Sequence, residues 1–178
     1  GALSASFIPV YAALLARDDR DEADRVAGAV GGLLALGISV LVLIGVLATP
    51  LMIDLIVPGF TGEKRALTVE LVRIVFPGTG LLVLSAWCLG ILNSHRRFFL
   101  SYAAPVLWNL SIIGSLFLFG GRMPQSGLAV AAAWGSVVGS ALQVLVQLPR
   151  VMRLLGSLRP SLDHTSIHVR KVIRNFIP

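Results

Sequence analysis

Apolar residues run along this chain in long blocks, and charges are confined to short intervals between them. Val26 to Ile53, Ile74 to Ser94, Phe98 to Gly121 and Leu128 to Pro149 contain no Asp, Glu, Lys or Arg. At 1.5 Å per residue, the 21 residues of the second block reach about 32 Å, the thickness of a bilayer's hydrocarbon layer. Lipid offers a backbone N–H or C=O no partner, so such a block is either helical or one strand of a closed barrel. Barrel strands alternate apolar and polar positions. The runs LLVLSAWCLGIL (81–92) and LSIIGSLFLF (110–119) do not alternate. The pattern therefore predicts an all-α membrane protein, a polytopic transmembrane helix bundle of about five crossings with the first and last truncated. The crossings are expected near 1–16, 26–53, 74–94, 98–120 and 127–149. Residues 63–73 and 167–178 read as amphipathic lead-ins at the interface, because their apolar residues recur at helical spacing among charges.

Within the blocks, Pro9, Pro50, Pro77 and Pro105 each lack the N–H of an i→i−4 bond, so kinks are expected there. Gly28/Gly32 and Gly135/Gly139 form two G-x-x-x-G spacings, which let a neighbouring helix approach closely. Gln143 and Gln147 lie one turn apart and should face inward, since an amide facing lipid has no partner. Asn109 needs a partner for the same reason, and an interhelical hydrogen bond is the expectation. A carboxylate at mid-bilayer costs about 2.5–3.5 kcal/mol on insertion scales, which puts Asp54 at an interface. The interval Arg17–Arg25 reads as a charged loop that caps the next helix. Its five acids lack the spacing and glycine of a calcium loop.

Composition sharpens this picture. Of the 178 residues 56% are hydrophobic and only 13% charged, with mean hydropathy +0.85. A net charge of +6 would suggest nucleic acid in a soluble protein, but here the basic residues sit in short loops. Loops 17–25, 95–97 and 150–174 hold 3, 2 and 6 Lys/Arg, against 3 and 1 in the alternate loops 54–73 and 121–126. The positive-inside rule then puts the first set in the cytoplasm, and the parity is self-consistent. The single cysteine, Cys88, rules out a disulfide within the chain. No zinc-protease, serine-hydrolase, Walker or C-x-x-C motif occurs, and no carboxylate lies well inside a crossing. Enzymatic catalysis, metal ligation and cofactor binding are therefore not expected. The chain opens at Gly1 within an apolar pattern and stops at Pro178 as another begins, which reads as a fragment.

Particular runs add a resemblance. GALSASFIPVY at the start, the turn P-G-F, LVRIVFP, GILNSHRRF, APVLWN, AWGSVVGSALQVLVQLP and VRKVIRNFIP occur in an order that resembles the MurJ (MviN) family. These are lipid II flippases of the multidrug/oligosaccharidyl-lipid/polysaccharide exporter superfamily. The resemblance covers nearly the whole chain and implies one part of a two-lobed exporter fold: helices two to six and the start of helix seven, in the amino-terminal lobe. It implies transport of undecaprenyl-diphosphate-linked disaccharide-pentapeptide to the outer leaflet by alternating access, in a multi-pass protein of the bacterial inner membrane. The implied partners are that lipid-linked precursor, membrane lipids and the rest of the same transporter. Nucleic acid is not among them. The family's essential charged cavity residues fall outside these positions. Gly1, Ser4, Phe7 and Pro9 match its cavity-lining second helix and are the substrate-site candidates. Arg96, Arg97, Pro105 and Asn109 match recurrent positions and are structural or gating candidates. Two rival readings stay open: another exporter of the superfamily, such as a polysaccharide-unit flippase or drug exporter, and a membrane scaffold subunit without transport.

Overall fold

The computed structural model describes residues 2–156 and 167–176, and the side chains of 5–156 and 167–174. These residues form six helices with no strand among them: α1 (Ala2–Ala16), α2 (Arg20–Ile56), α3 (Gly62–Ser94), α4 (Phe98–Phe119), α5 (Gln125–Leu154) and α6 (Ile167–Phe176). Four of them, α2 to α5, are long and apolar enough to cross a membrane. α1 is a shorter apolar helix.

Side-chain contacts fix how the helices run. Asp54 meets Arg65, Val46 meets Arg73, and Gly31 meets Trp87, so α2 and α3 are antiparallel. Gly90 meets Phe7 and His95 meets Tyr11, which makes α1 and α3 parallel. Gly78 against Ser140 and Ser85 against Gln147 make α3 and α5 parallel as well. Ser115 against Gly135 and Trp108 against Gly139 set α4 antiparallel to α5. The turns 17–19 and 95–97 and the carboxyl end of α5 therefore lie at one end of the bundle, called here the basic end. The turns 57–61 and 120–124 lie at the other.

Several helices run beyond the uncharged blocks. α2 starts at Arg20, because the Asp19 side chain accepts from the Glu22 backbone N–H at 3.3 Å, and Asp21 and Glu22 suit the positive end of the helix dipole. Most of the expected charged loop is thus the first turns of a helix. Residues 63–73 are likewise the first turns of α3. α2, at 37 residues, is about 55 Å long, well above the roughly 30 Å of hydrocarbon, so its ends project into the headgroup layers.

The buried core lies toward the basic end, where Phe7, Tyr11, Val26, Ile91, Leu92, Val151, Leu155, Val169 and Val172 gather from α1, α2, α3, α5, the residue that caps α5, and α6. α6 packs its Val169 and Val172 side inward, and His168 Nδ1 lies 3.1 Å from Glu22 Oε1. The rest of the bundle is turned inside out relative to a water-soluble protein. Phe99, Tyr102, Val106, Leu110, Ile113 and Phe117 form an exposed stripe on α4, and Leu41, Leu43, Leu47, Leu51 and Leu55 stand exposed on α2. Such a surface suits hydrocarbon or other apolar helices. The second G-x-x-x-G does bring helices together, since a β-carbon at Gly139 would sit 2.8 Å from Trp108 Cα. α2 and α3 also approach closely at Gly31, under the Trp87 ring, at Gly45, under Phe76, and at Gly80, against Ile38 and Val42.

Candidate functional site

The basic end is built from two turns of the same kind. After α1, Asp19 N donates to Leu14 O and Asp18 N to Leu15 O. After α3, Arg97 N donates to Leu92 O and Arg96 N to Asn93 O. Both are Schellman-type caps, in which the residue past the helix end takes a left-handed conformation that normally calls for glycine. Here it is Asp18, with φ 57°, and Arg96, with φ 58°. A left-handed non-glycine residue costs about 1–2 kcal/mol. These turns therefore carry charged side chains where the backbone alone would favour glycine.

Between the two turns and the end of α5 lies a polar cleft of about 590 Å³, lined among others by Arg20, Asp21, Asp24, His95, Arg96 and Arg153. Arg20 Nε donates to Asp18 Oδ1 at 3.2 Å. Tyr11 Oη lies 3.0 Å from His95 Nε2 and ties the floor of the cleft to α1. Burial, and then the charge of Arg20, holds the His95 imidazole below its usual value; Asp24 opposes this and Arg97 adds to it. His95 is therefore neutral at pH 7. Among the described residues, no three His, Cys, Asp or Glu side chains gather as metal ligands would.

The sequence-derived candidates fall into different settings. Gly1 and the Ser4 side chain lie outside the described residues. Phe7 is fully buried, stacked on Tyr11 with ring centroids 5.2 Å apart and packed against Gly90. Its ring anchors α1 to α3. Pro9 is exposed, on the same face of α1 as Ala5 and Ala13. Arg96 borders the cleft, and Arg97 is the amino-terminal cap residue of α4, with its carbonyl accepting from Ser101 at 3.5 Å. Asn109 is exposed, and its amide donates to Pro105 O on its own helix at 3.3 Å. The expected interhelical bond is not made, because the carbonyl four residues back lies within reach of the short side chain.

Two further polar features lie apart from those candidates, the first buried between helices and the second exposed. Gln143 Nε2 donates to Ser85 Oγ at 2.7 Å, and Ser85 donates to Gln147 Oε1 at 2.7 Å. All three side chains are buried, as the shared face of the two glutamines required. Ser85 was not singled out, since a lone serine in an apolar run carries no signal of its own. The second feature is on α2, where Pro50 leaves the carbonyl of Val46 without its helical donor. Arg73 Nε of α3 supplies one at 3.2 Å. One turn of helix or more beyond, Arg65 grips Asp54 through two bonds, of 2.6 and 2.8 Å.

Comparison with known proteins bears on what this bundle belongs to. A family model described as lipid II flippase MurJ matches residues 1–178. The chain is 28% identical over 180 residues to a probable lipid II flippase MurJ of Buchnera aphidicola subsp. Schizaphis graminum, a match that covers all of this chain and 35% of that protein. It is 28% identical over 186 residues to the lipid II flippase MurJ of Burkholderia cenocepacia, again over the whole chain and 35% of the relative. With a probable lipid II flippase MurJ of Rhizobium tropici, the identity is 34% over 151 residues, which is 82% of this chain and 28% of the relative. The chain thus spans about a third of the length of the curated relatives it matches.

Proposed function

This chain belongs to the lipid II flippase MurJ family, a family of transporters rather than enzymes, and from that premise we propose that its protein moves a lipid-linked peptidoglycan precursor across the bacterial inner membrane. The cargo is undecaprenyl-diphosphate-linked disaccharide-pentapeptide, and the direction is from the cytoplasmic to the outer leaflet. The match of the family model to the chain from end to end carries this reading. The helix directions support it, because the basic turns at 17–19 and 95–97 and the basic carboxyl end of α5 fall at one end of a membrane-spanning bundle. That end faces the cytoplasm by the positive-inside rule.

In this reading the chain is part of the amino-terminal lobe of a two-lobed exporter that rocks about a midplane cavity. An anionic diphosphate enters a cationic cavity contributed by residues outside this chain, while the prenyl tail stays in lipid. α1 lines the path on the face that carries Pro9. Phe7 holds α1 in place from behind, and α2 to α5 form the lobe's outer wall, with Arg96, Arg97, Pro105 and Asn109 shaping the α3–α4 corner. The remaining partners are membrane lipids and the rest of the transporter.

The test is depletion of the protein in cells, followed by measurement of how much lipid-linked precursor an externally added pyrophosphate-cleaving enzyme can reach. Depletion should leave the precursor on the inner leaflet while total precursor rises. Unchanged arrival at the outer leaflet would refute the assignment. Pro9→Phe in the complemented strain should slow arrival without lowering the amount of folded protein.

A further inference from the structure

The side chains of Arg96, Arg153 and Asp21 share the cleft at the basic end, yet none of these three side chains makes a hydrogen bond or ion pair with another described residue. Arg20 is paired with Asp18, so the side chains of Arg96, Arg153 and Asp21 leave charges of both signs at the cleft for a ligand. Asp24, one helical turn after Asp21, adds a second carboxylate, and Leu15 and Leu154 make the wall apolar on the side of the core. The cleft lies at the end of α3, just past the block that spans about 32 Å, so it sits at headgroup depth. Phe98 and Phe99 stand exposed beside the turn, as aromatic residues do at a membrane interface. Arg96 also keeps a left-handed backbone where glycine would relieve the cost, which is understandable if its guanidinium is used.

We propose that this cleft binds the headgroup of a phospholipid that carries a phosphate and a primary ammonium, as phosphatidylethanolamine does. Arg96 and Arg153 take the phosphate; Asp21 and Asp24 take the ammonium. A purely anionic headgroup satisfies the arginines but meets two carboxylates. A quaternary ammonium gives those carboxylates no N–H to accept. The site is separate from the transport path assigned to α1 and holds a resident lipid rather than cargo, so it stands whether or not lipid II is the substrate.

The experiment uses the purified protein in mixed micelles with equal amounts of phosphatidylethanolamine, phosphatidylcholine and phosphatidylglycerol, with retained lipid counted by native mass spectrometry. Phosphatidylethanolamine should be retained over either competitor by about tenfold, the size of one charge-assisted bond. Arg96→Gln with Arg153→Gln should lower retention of phosphatidylethanolamine to the level of the competitors. Asp21→Asn with Asp24→Asn should instead raise phosphatidylglycerol above it. Each double variant is taken at an unchanged unfolding midpoint, and Arg96→Lys serves as a partial rescue if the glutamine pair folds poorly. Equal retention of the three lipids by the parent, or retention unmoved by either pair, overturns the proposal. Addition of soluble phosphoethanolamine at the same concentration as the lipid should leave the lipid in place. Its displacement would assign the cleft to a soluble ligand and overturn the assignment to the membrane.

Discussion

The two halves of this bundle are made from similar residues but held together differently. Toward the basic end, α1, α2, α3, α5 and α6 converge on a buried core, and two tight Schellman turns and a hydrogen bond from α1 to His95 close it off. Toward the other end, α2 stands with one leucine after another exposed, and contact with α3 includes Ile38 and Val42 on Gly80, Gly45 beneath Phe76, and the Arg65–Asp54 and Arg73–Val46 bonds. The same leucine is therefore a structural element in one half and a solvation choice in the other. For a lobe that must move as a unit, this places rigidity at the basic end and leaves the far half of α2 free to adapt to lipid or to a neighbouring helix.

That contrast can be broken by deleting the same methyl groups in each half. Leu92→Ala, in the buried core, should lower unfolding free energy by about 2–5 kcal/mol, read by SDS-titration unfolding of the purified protein. Gly139→Leu comes next, at about 1–3 kcal/mol, because its side chain must push the backbone of Trp108 away and spread α4 from α5. Gln147→Leu should cost about 0.6–1.7 kcal/mol, the range of single polar contacts inside membrane proteins, since Ser85 and Gln143 still bond each other. Leu47→Ala, in the exposed half, should stay within about 0.5 kcal/mol of the parent. Equal losses at Leu92 and Leu47 would erase the distinction between the halves.

A pH series sharpens the contrast at the basic end. The folded protein holds the His95 imidazole below its ordinary value of 6.5, so the folded state binds fewer protons than the unfolded one. The stability this gives is present above that ordinary value and is lost as pH falls below it. The unfolding midpoint should therefore drop more steeply on acidification in the parent than in His95→Gln. Parallel curves would mean that His95 is not held in the folded end as described.

Much of this was legible in the sequence, and the reason is physical. Hydrocarbon forbids charge and demands helical backbone, so uncharged blocks of sufficient length mark α2 to α5 directly. The inward face of Gln143 and Gln147 followed from the same rule. The helix ends were harder to place, because a capping Asp19 and a well-formed first turn let α2 run through charges that look like a loop. Phe7 was a candidate through the resemblance alone, because an apolar helix of small residues shows no difference between the side facing a core and the side facing a cavity; in the structure it is buried against α3. Asn109 was expected to reach another helix, yet its own Pro105 carbonyl lay nearer. The cleft at the basic end brings together residues from the ends of α1, α2, α3 and α5, and no linear pattern announces it.

The most direct test of the central claim, that the basic end is the cytoplasmic end of a membrane-spanning bundle, is labelling of single cysteines with a membrane-impermeant maleimide in intact cells. In a variant without other accessible thiols, Gly59→Cys should be labelled from outside. Arg96→Cys should be labelled only after the membrane is opened. Labelling of Arg96→Cys in intact cells, with Gly59→Cys protected, would contradict the account.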